Sequence, residues 1–181
     1  MILNRVALFL FALAFSLTAR AEATNQPPAT GGLAALGFLA GGTWQGELPP
    51  GSDGQKVSIE ARFAWTENHQ GIRFDSAWLV GGRKSPYTSG IYLWNPQSNQ
   101  IVITYSDNEG GLTTGTVSLA DDVFVHNLQL NYPSGKAENI QTKLTHSGSD
   151  GFTNAIFRLK DGQWDKFVEV HYQKTKPAPP G

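Results

Sequence analysis

Asn154, Glu169 and His171 are the residues of this chain best suited, by type and spacing, to do chemistry. Asp161-Gly162 reads as a two-residue hairpin turn, which sets Trp164 opposite Leu159 and Asp165 opposite Arg158. Carried on, that register sets Phe167 against Ile156, Glu169 against Asn154 and His171 against Phe152. A carboxylate, an imidazole and a carboxamide then share one patch bordered by Phe152, Ile156 and Phe167. Facing inward, they would be the few placed polar groups of a ligand cavity. Glu169 would then need Asn154 or His171 as a partner, because burying an unpaired carboxylate is costly. Glu169 and His171 could also work as an acid/base pair, although no turn of the nucleophile-elbow kind presents a serine. Facing outward, the trio is simply a solvated face, with Arg158–Asp165 a surface ion pair. The opposite face (Leu159, Phe157, Ala155, Val168, Val170, Tyr172 and Trp164) is at least as apolar, so both readings stay open.

The other histidines point to no metal. His69, His126 and His146 form no i, i+2 or i, i+4 pair with each other or with His171. His126 and His146 fall on neighbouring strands but out of register across Pro133–Gly135, with His126 opposite roughly Lys143. The chain has 0 Cys, which removes disulfides, thiolate metal sites and thiol nucleophiles.

The elements that must position these groups are strands. Val57, Ile59, Ala61, Phe63 and Trp65 alternate with polar residues, as do Ile72, Phe74, Ser76, Trp78 and Val80. A tight turn at Asn68–Gly71 would set Trp65 across from Phe74 and Ala61 from Trp78. Further strands are expected at Thr43–Leu48, Tyr87–Trp94, Gln100–Ser106, Leu112–Leu119, Val123–Tyr132, Ala137–Thr145, Phe152–Leu159 and Trp164–Gln173. Asn95-Pro96, Asn108–Gly111, Asp121-Asp122, Pro133–Gly135, Ser147–Gly151 and Asp161-Gly162 supply the turns. Thr30 would cap a short preceding helix through Leu33, Leu36 and Leu39. About ten strands in one domain cannot leave open edges cheaply, so the expectation is an all-β, up-and-down antiparallel barrel with a short N-terminal helix.

Gly42-Thr43-Trp44-Gln45-Gly46, at the junction of that helix and the first strand, resembles the Gly-x-Trp opening of the lipocalin and calycin group. It is most similar to the Gly-Thr-Trp-x-Gly opening of nitrobindin-like bacterial proteins. The resemblance implies a barrel with an internal cavity, plugged at one end by Trp44, with Gly42 and Gly46 letting the backbone approach it. It also implies a basic side chain from the last strand over that Trp, for which Lys166 and Lys174 are the candidates. The nitrobindin-like members hold haem through a C-terminal His, and His171 is the candidate by position.

A barrel of this strand number has room inside. Trp65, Phe74, Trp78 and Tyr105 are the expected aromatic ligand contacts, with Asn154, Glu169 and His171 as polar anchors. Tyr105, and secondarily Arg62, would hold a carboxylate on the ligand. Asn4-Arg5, the apolar run Val6–Leu17 and Ala19-Arg20-Ala21 follow the grammar of a secretory signal peptide ending at Ala21. The run is about 12 residues, short of the roughly 20 that span a bilayer, so no stable membrane anchor is expected. The domain plan is thus a signal peptide over 1–21, a flexible start over 22–32, the barrel over 33–175 and a Pro-rich tail over 176–181. A formal net charge of −1 and pI of about 6.4 offer no basic stripe for nucleic acid.

The expected function is a periplasmic or secreted barrel, monomer or homodimer, that binds a small hydrophobic or amphipathic molecule. An enzyme using Glu169–His171, haem binding through His171 and a solidly packed interaction module are the alternatives.

Overall fold

The computed structural model describes residues 31–49 and 54–175; the expected signal peptide, flexible start (except its last two residues) and Pro-rich tail lie outside them. The described chain opens with a 3₁₀ helix, Gly31–Leu39, followed by ten strands. These are β1 (Gly42–Glu47), β2 (Val57–Trp65), β3 (Gly71–Val80), β4 (Arg83–Asn95), β5 (Gln100–Asp107), β6 (Leu112–Ala120), β7 (Val123–Asn131), β8 (Ala137–His146), β9 (Gly151–Lys160) and β10 (Gln163–Lys174). Each pairs antiparallel with the next, and β10 returns to β1, so the sheet closes into an up-and-down barrel with no free edge. The closing seam pairs Trp44 with Lys174 and Glu47 with His171, and the Thr175 amide donates to the Thr43 carbonyl at 2.8 Å.

Turn chemistry explains the meander. Gly81-Gly82, Asp121-Asp122 and Asp161-Gly162 are two-residue hairpin loops with both central residues at positive φ, from 50° to 78°. That geometry matches the right-handed twist of the flanking strands and favours Gly and Asp. Because Gly81-Gly82 makes such a turn, β4 starts at Arg83, four residues before the expected Tyr87.

The helix closes one end of the barrel. In a 3₁₀ helix residues three apart eclipse one another, so Leu33, Leu36 and Leu39 form one row, and all three are fully buried. Trp44 is fully buried against them and donates its indole N–H to the Leu39 carbonyl at 2.9 Å. Its ring meets Phe152 edge-on at 5.0 Å, and the Lys174 ammonium lies 5.4 Å from its centre. Of the two candidate cations, then, Lys174 covers Trp44, while Lys166 pairs with Glu169 on the outer face. A side chain at Gly46 would collide with Val170 and Tyr172 rather than with Trp44, while one at Gly42 would meet the end of the Lys174 side chain and the Trp44 indole nitrogen at 3.3 Å.

Three registers differ from expectation, across β2–β3, β9–β10 and, by one residue, β7–β8. Across β2–β3, Phe63 faces Phe74, Ile59 faces Trp78 and Trp65 faces Ile72. The turn is centred earlier than expected, with Asn68 accepting from Thr66 and Gln70 and His69 at φ 54°. This shift is by two residues, so every side chain keeps its face. Across β9–β10 the pairs Trp164–Leu159 and Asp165–Arg158 form as expected, but a bulge between Lys166 and Val168 moves the rest by one. Beyond it Glu169 faces Ala155 and His171 faces Thr153, and the faces of β10 are exchanged.

Candidate functional site

Between the plugged end and the opposite, open end lies a cavity of about 290 Å³. Alternation along the strands builds its wall. From β2 and β3 come Ile59, Ala61, Phe63, Phe74 and Ser76, and from β4 and β5 come Tyr87, Thr88, Tyr92, Ile103, Tyr105 and Asp107. Strands β7 and β8 add His126, Leu128, Leu130, Ile140, Thr142 and Leu144. Phe152, Asn154, Ile156 and Arg158 of β9, with Phe167 and Tyr172 of β10, complete it. The surface is thus apolar and aromatic with a few polar groups, the usual make-up of a small-molecule pocket.

Gly90 makes room for this wall, since a side chain there would collide with Tyr105 and press on Phe74 at 2.8 Å. Phe74 packs against Tyr92 at 5.3 Å and Tyr105 at 5.8 Å between ring centres, so the aromatic groups form one continuous surface.

The polar groups fall into two sets. At depth, His126 is 3% exposed, and its Nε2 is 3.2 Å from the Tyr92 hydroxyl, reaching across the interior from β7 to β4. Burial lowers its pKa to about 4, with the nearby carbonyls of Phe124 and Thr142 opposing that only in part, so the imidazole is neutral at pH 7. Its Nδ1 has no hydrogen-bond partner of good geometry, and neither has the buried Oδ1 of Asn154. Burial likewise raises the pKa values of Tyr92, Tyr105 and Tyr172, keeping the phenols neutral. The deep cavity therefore carries no formal charge.

The open end is where charge begins. Asp107 accepts the amides of Glu109 (2.9 Å) and Gly111 (2.8 Å), which ties its carboxylate to the β5–β6 turn. Arg158 pairs with Glu138 at 3.4 Å and lies 3.9 Å from the centre of the Phe167 ring; Glu138 in turn accepts the Tyr132 hydroxyl at 2.9 Å. The expected Arg158–Asp165 ion pair is thus replaced by one to Glu138.

Of the residues singled out from sequence, Phe74, Tyr105 and Asn154 line the cavity together. Trp65 and Trp78 do not. Trp65 stacks on His69 near the plugged end, 6.0 Å between ring centres, and Trp78 stacks on Tyr87 at 4.7 Å. Glu169 and His171 are brought together, Oε1 to Nε2 at 3.4 Å, but on the outer face, where the His171 side chain is 70% exposed. The His171 Nδ1 there meets the Thr153 hydroxyl at 3.0 Å. The bulge is the cause: it turns Val168, Val170 and Tyr172 inward in their place. Arg62 is also on the outer face, 3.1 Å from Glu60. His126 faces Thr142 rather than Lys143.

Phe152, Ile156 and Phe167, expected to border the polar patch, do line the cavity, whereas Tyr92, His126 and Tyr172 are cavity residues that the sequence pattern did not single out. For His126 a signal existed, since Phe124, His126, Leu128 and Leu130 alternate along one apolar face.

Fold and site define a closed ten-stranded antiparallel β-barrel with an internal pocket. No protein-family model and no curated protein matches the sequence. Among solved structures, the chain is similar to a redesigned β-barrel, mFAP1, bound to DFHBI. That likeness has 22% identity over 78% of this chain and 98% of that one, with a TM-score of 0.32. It is also similar to EF1p2_mFAP2b bound to DFHBI, at 18% identity over 78% and 97%, with a TM-score of 0.32. At that overlap neither says anything about a ligand of this chain.

Proposed function

We propose that this protein is an exported barrel that holds one small, mostly apolar molecule inside its open half. The observation that carries the reading is the aromatic-walled cavity itself, with neutral polar groups at depth. A void of this size in a barrel otherwise packed at its plugged end forfeits dispersion contacts unless something fills it. A cavity of roughly 150 Å³ accommodates benzene. On that scale 290 Å³ suits a bicyclic molecule. Export is proposed from the leader-like residues 1–21.

The Glu169–His171 pair lies on the other side of the sheet from the cavity. A binding role is therefore favoured over acid/base chemistry by that pair. A haem iron inside the barrel would likewise be out of reach of His171.

Titration with small aromatic probes, read by calorimetry, tests the proposal. Leu130 lines the cavity and is half-buried, so Leu130→Trp should fill space there and weaken binding at least tenfold while the barrel stays folded. Equal affinity in the folded variant would place binding elsewhere and overturn the reading.

A further inference from the structure

Asn154 is the group in this cavity whose chemistry is least satisfied. It stands on β9 between Phe152 and Ile156, with all three lining the void, and it is opposed by Leu144 and Val170. Its Oδ1 is buried without a hydrogen-bond partner, and its amide nitrogen makes no hydrogen bond among the described residues. A carboxamide offers two donors and a carbonyl acceptor, and turning about its last torsion exchanges the edge it presents. Leaving such a group desolvated and unpaired is unfavourable, so an occupant that pairs with it gains over one that does not.

The surroundings restrict what that occupant can be. The groups lining the cavity at depth are neutral, and its charged lining residues, Asp107 and Arg158, lie at the open end. Both are already engaged, Asp107 with two backbone amides and Arg158 with Glu138. An ion pushed to the level of Asn154 would lose its hydration with no counter-charge to meet it. A neutral ligand that both donates and accepts suffers no such loss.

Resting on the cavity-binding reading above, we infer that the ligand is a neutral planar molecule with a lactam-type edge, an N–H beside a C=O, that pairs with the Asn154 carboxamide at its buried end. The remaining rings lie against the aromatic wall formed by Phe74, Tyr92 and Tyr105.

The experiment compares three bicyclic probes of similar size by calorimetry: 2-quinolinone, N-methyl-2-quinolinone and naphthalene. The first has the full edge, the second lacks the N–H, and the third lacks both groups. The expected result is that 2-quinolinone binds at least about tenfold tighter than either of the others. Asn154→Leu should remove that preference, so that 2-quinolinone and naphthalene bind the variant within about threefold of each other. Equal binding of all three by the unaltered protein, or a preference for naphthalene, overturns the inference and leaves the cavity reading standing. A preference for 2-quinolinone that survives in Asn154→Leu also overturns it. If none of the three binds, the cavity reading falls and this inference with it. The ranking by the unaltered protein decides the matter even if the variant does not fold.

Discussion

The two ends of the barrel are built on opposite rules. At the plugged end Leu33, Leu36, Leu39 and Trp44 have no exposed surface, and the one polar atom of the Trp44 side chain has its acceptor in Leu39. Beyond the plug the barrel keeps a void with the Asn154 Oδ1 buried and unpaired in its wall, and at the open end Phe167 is 59% exposed. Buried polar groups are normally paired, and Asn154 Oδ1 is an exception that belongs to a cavity-lining residue. The contrast is between a packed end and a half that keeps a void, the space in which the proposed function sets a ligand.

Removing the plug should break this contrast most. Trp44→Ala should lower the unfolding free energy by about 3–5 kcal/mol, the cost of emptying a fully buried aromatic site. Urea denaturation of both proteins measures it, and a loss below about 1 kcal/mol would mean the plug is not where stability resides. Any effect on ligand affinity should follow from the unfolded fraction alone.

Acid comes next. His126 has a folded-state pKa of about 4 against an ordinary 6.5. The unfolded chain therefore takes up a proton as pH falls through about 6.5 while the folded barrel does not. Stability contributed by the neutral imidazole is full above that point and is lost progressively down to about pH 4. On linkage grounds the loss is on the order of 3 kcal/mol. Unfolding free energies at pH 7.5 and 4.5 should differ by about that much more in the natural protein than in His126→Gln. Parallel pH profiles for the two would show that His126 is not the group responsible.

A smaller effect sharpens the picture of the plug. Lys174→Met keeps the aliphatic stem over Trp44 but removes the ammonium 5.4 Å from the ring centre. It should cost about 0.5–1 kcal/mol at a partly exposed site, and less in high salt. No change at low salt would assign the covering role to packing alone.

The outer face should matter least. Glu169→Gln and His171→Ala disrupt an exposed pair, so each should shift stability by no more than about 0.5 kcal/mol and leave ligand binding unchanged. Loss of binding in either would bring the outer face of β10 back into the functional site.

How much of this was legible in the sequence is best seen in two hairpins. In β2–β3 the expected pairing was displaced by two residues, yet Phe74 was correctly assigned to the interior. In β9–β10 the turn at Asp161-Gly162 and the first pairs were correct, and a single bulged residue then moved Glu169 and His171 to the solvent side. Side chains alternate with period two, so an even slip is harmless and an odd one inverts the site. Both faces of β10 carry apolar residues, which left the pattern of hydrophobicity unable to choose between them.

Local chemistry in the sequence determined the strand count, the two-residue turns at Asp121-Asp122 and Asp161-Gly162 and the row of leucines in the 3₁₀ helix. Each of these depends on residues near one another in the chain, where steric and turn preferences act directly. Only the tertiary structure decided which of β10's faces points inward, that Tyr92 meets His126 across the interior, and that Asn154 is left unpaired in a void. These are properties of closure: they arise when strands far apart in sequence share one interior, and no window of the chain contains them.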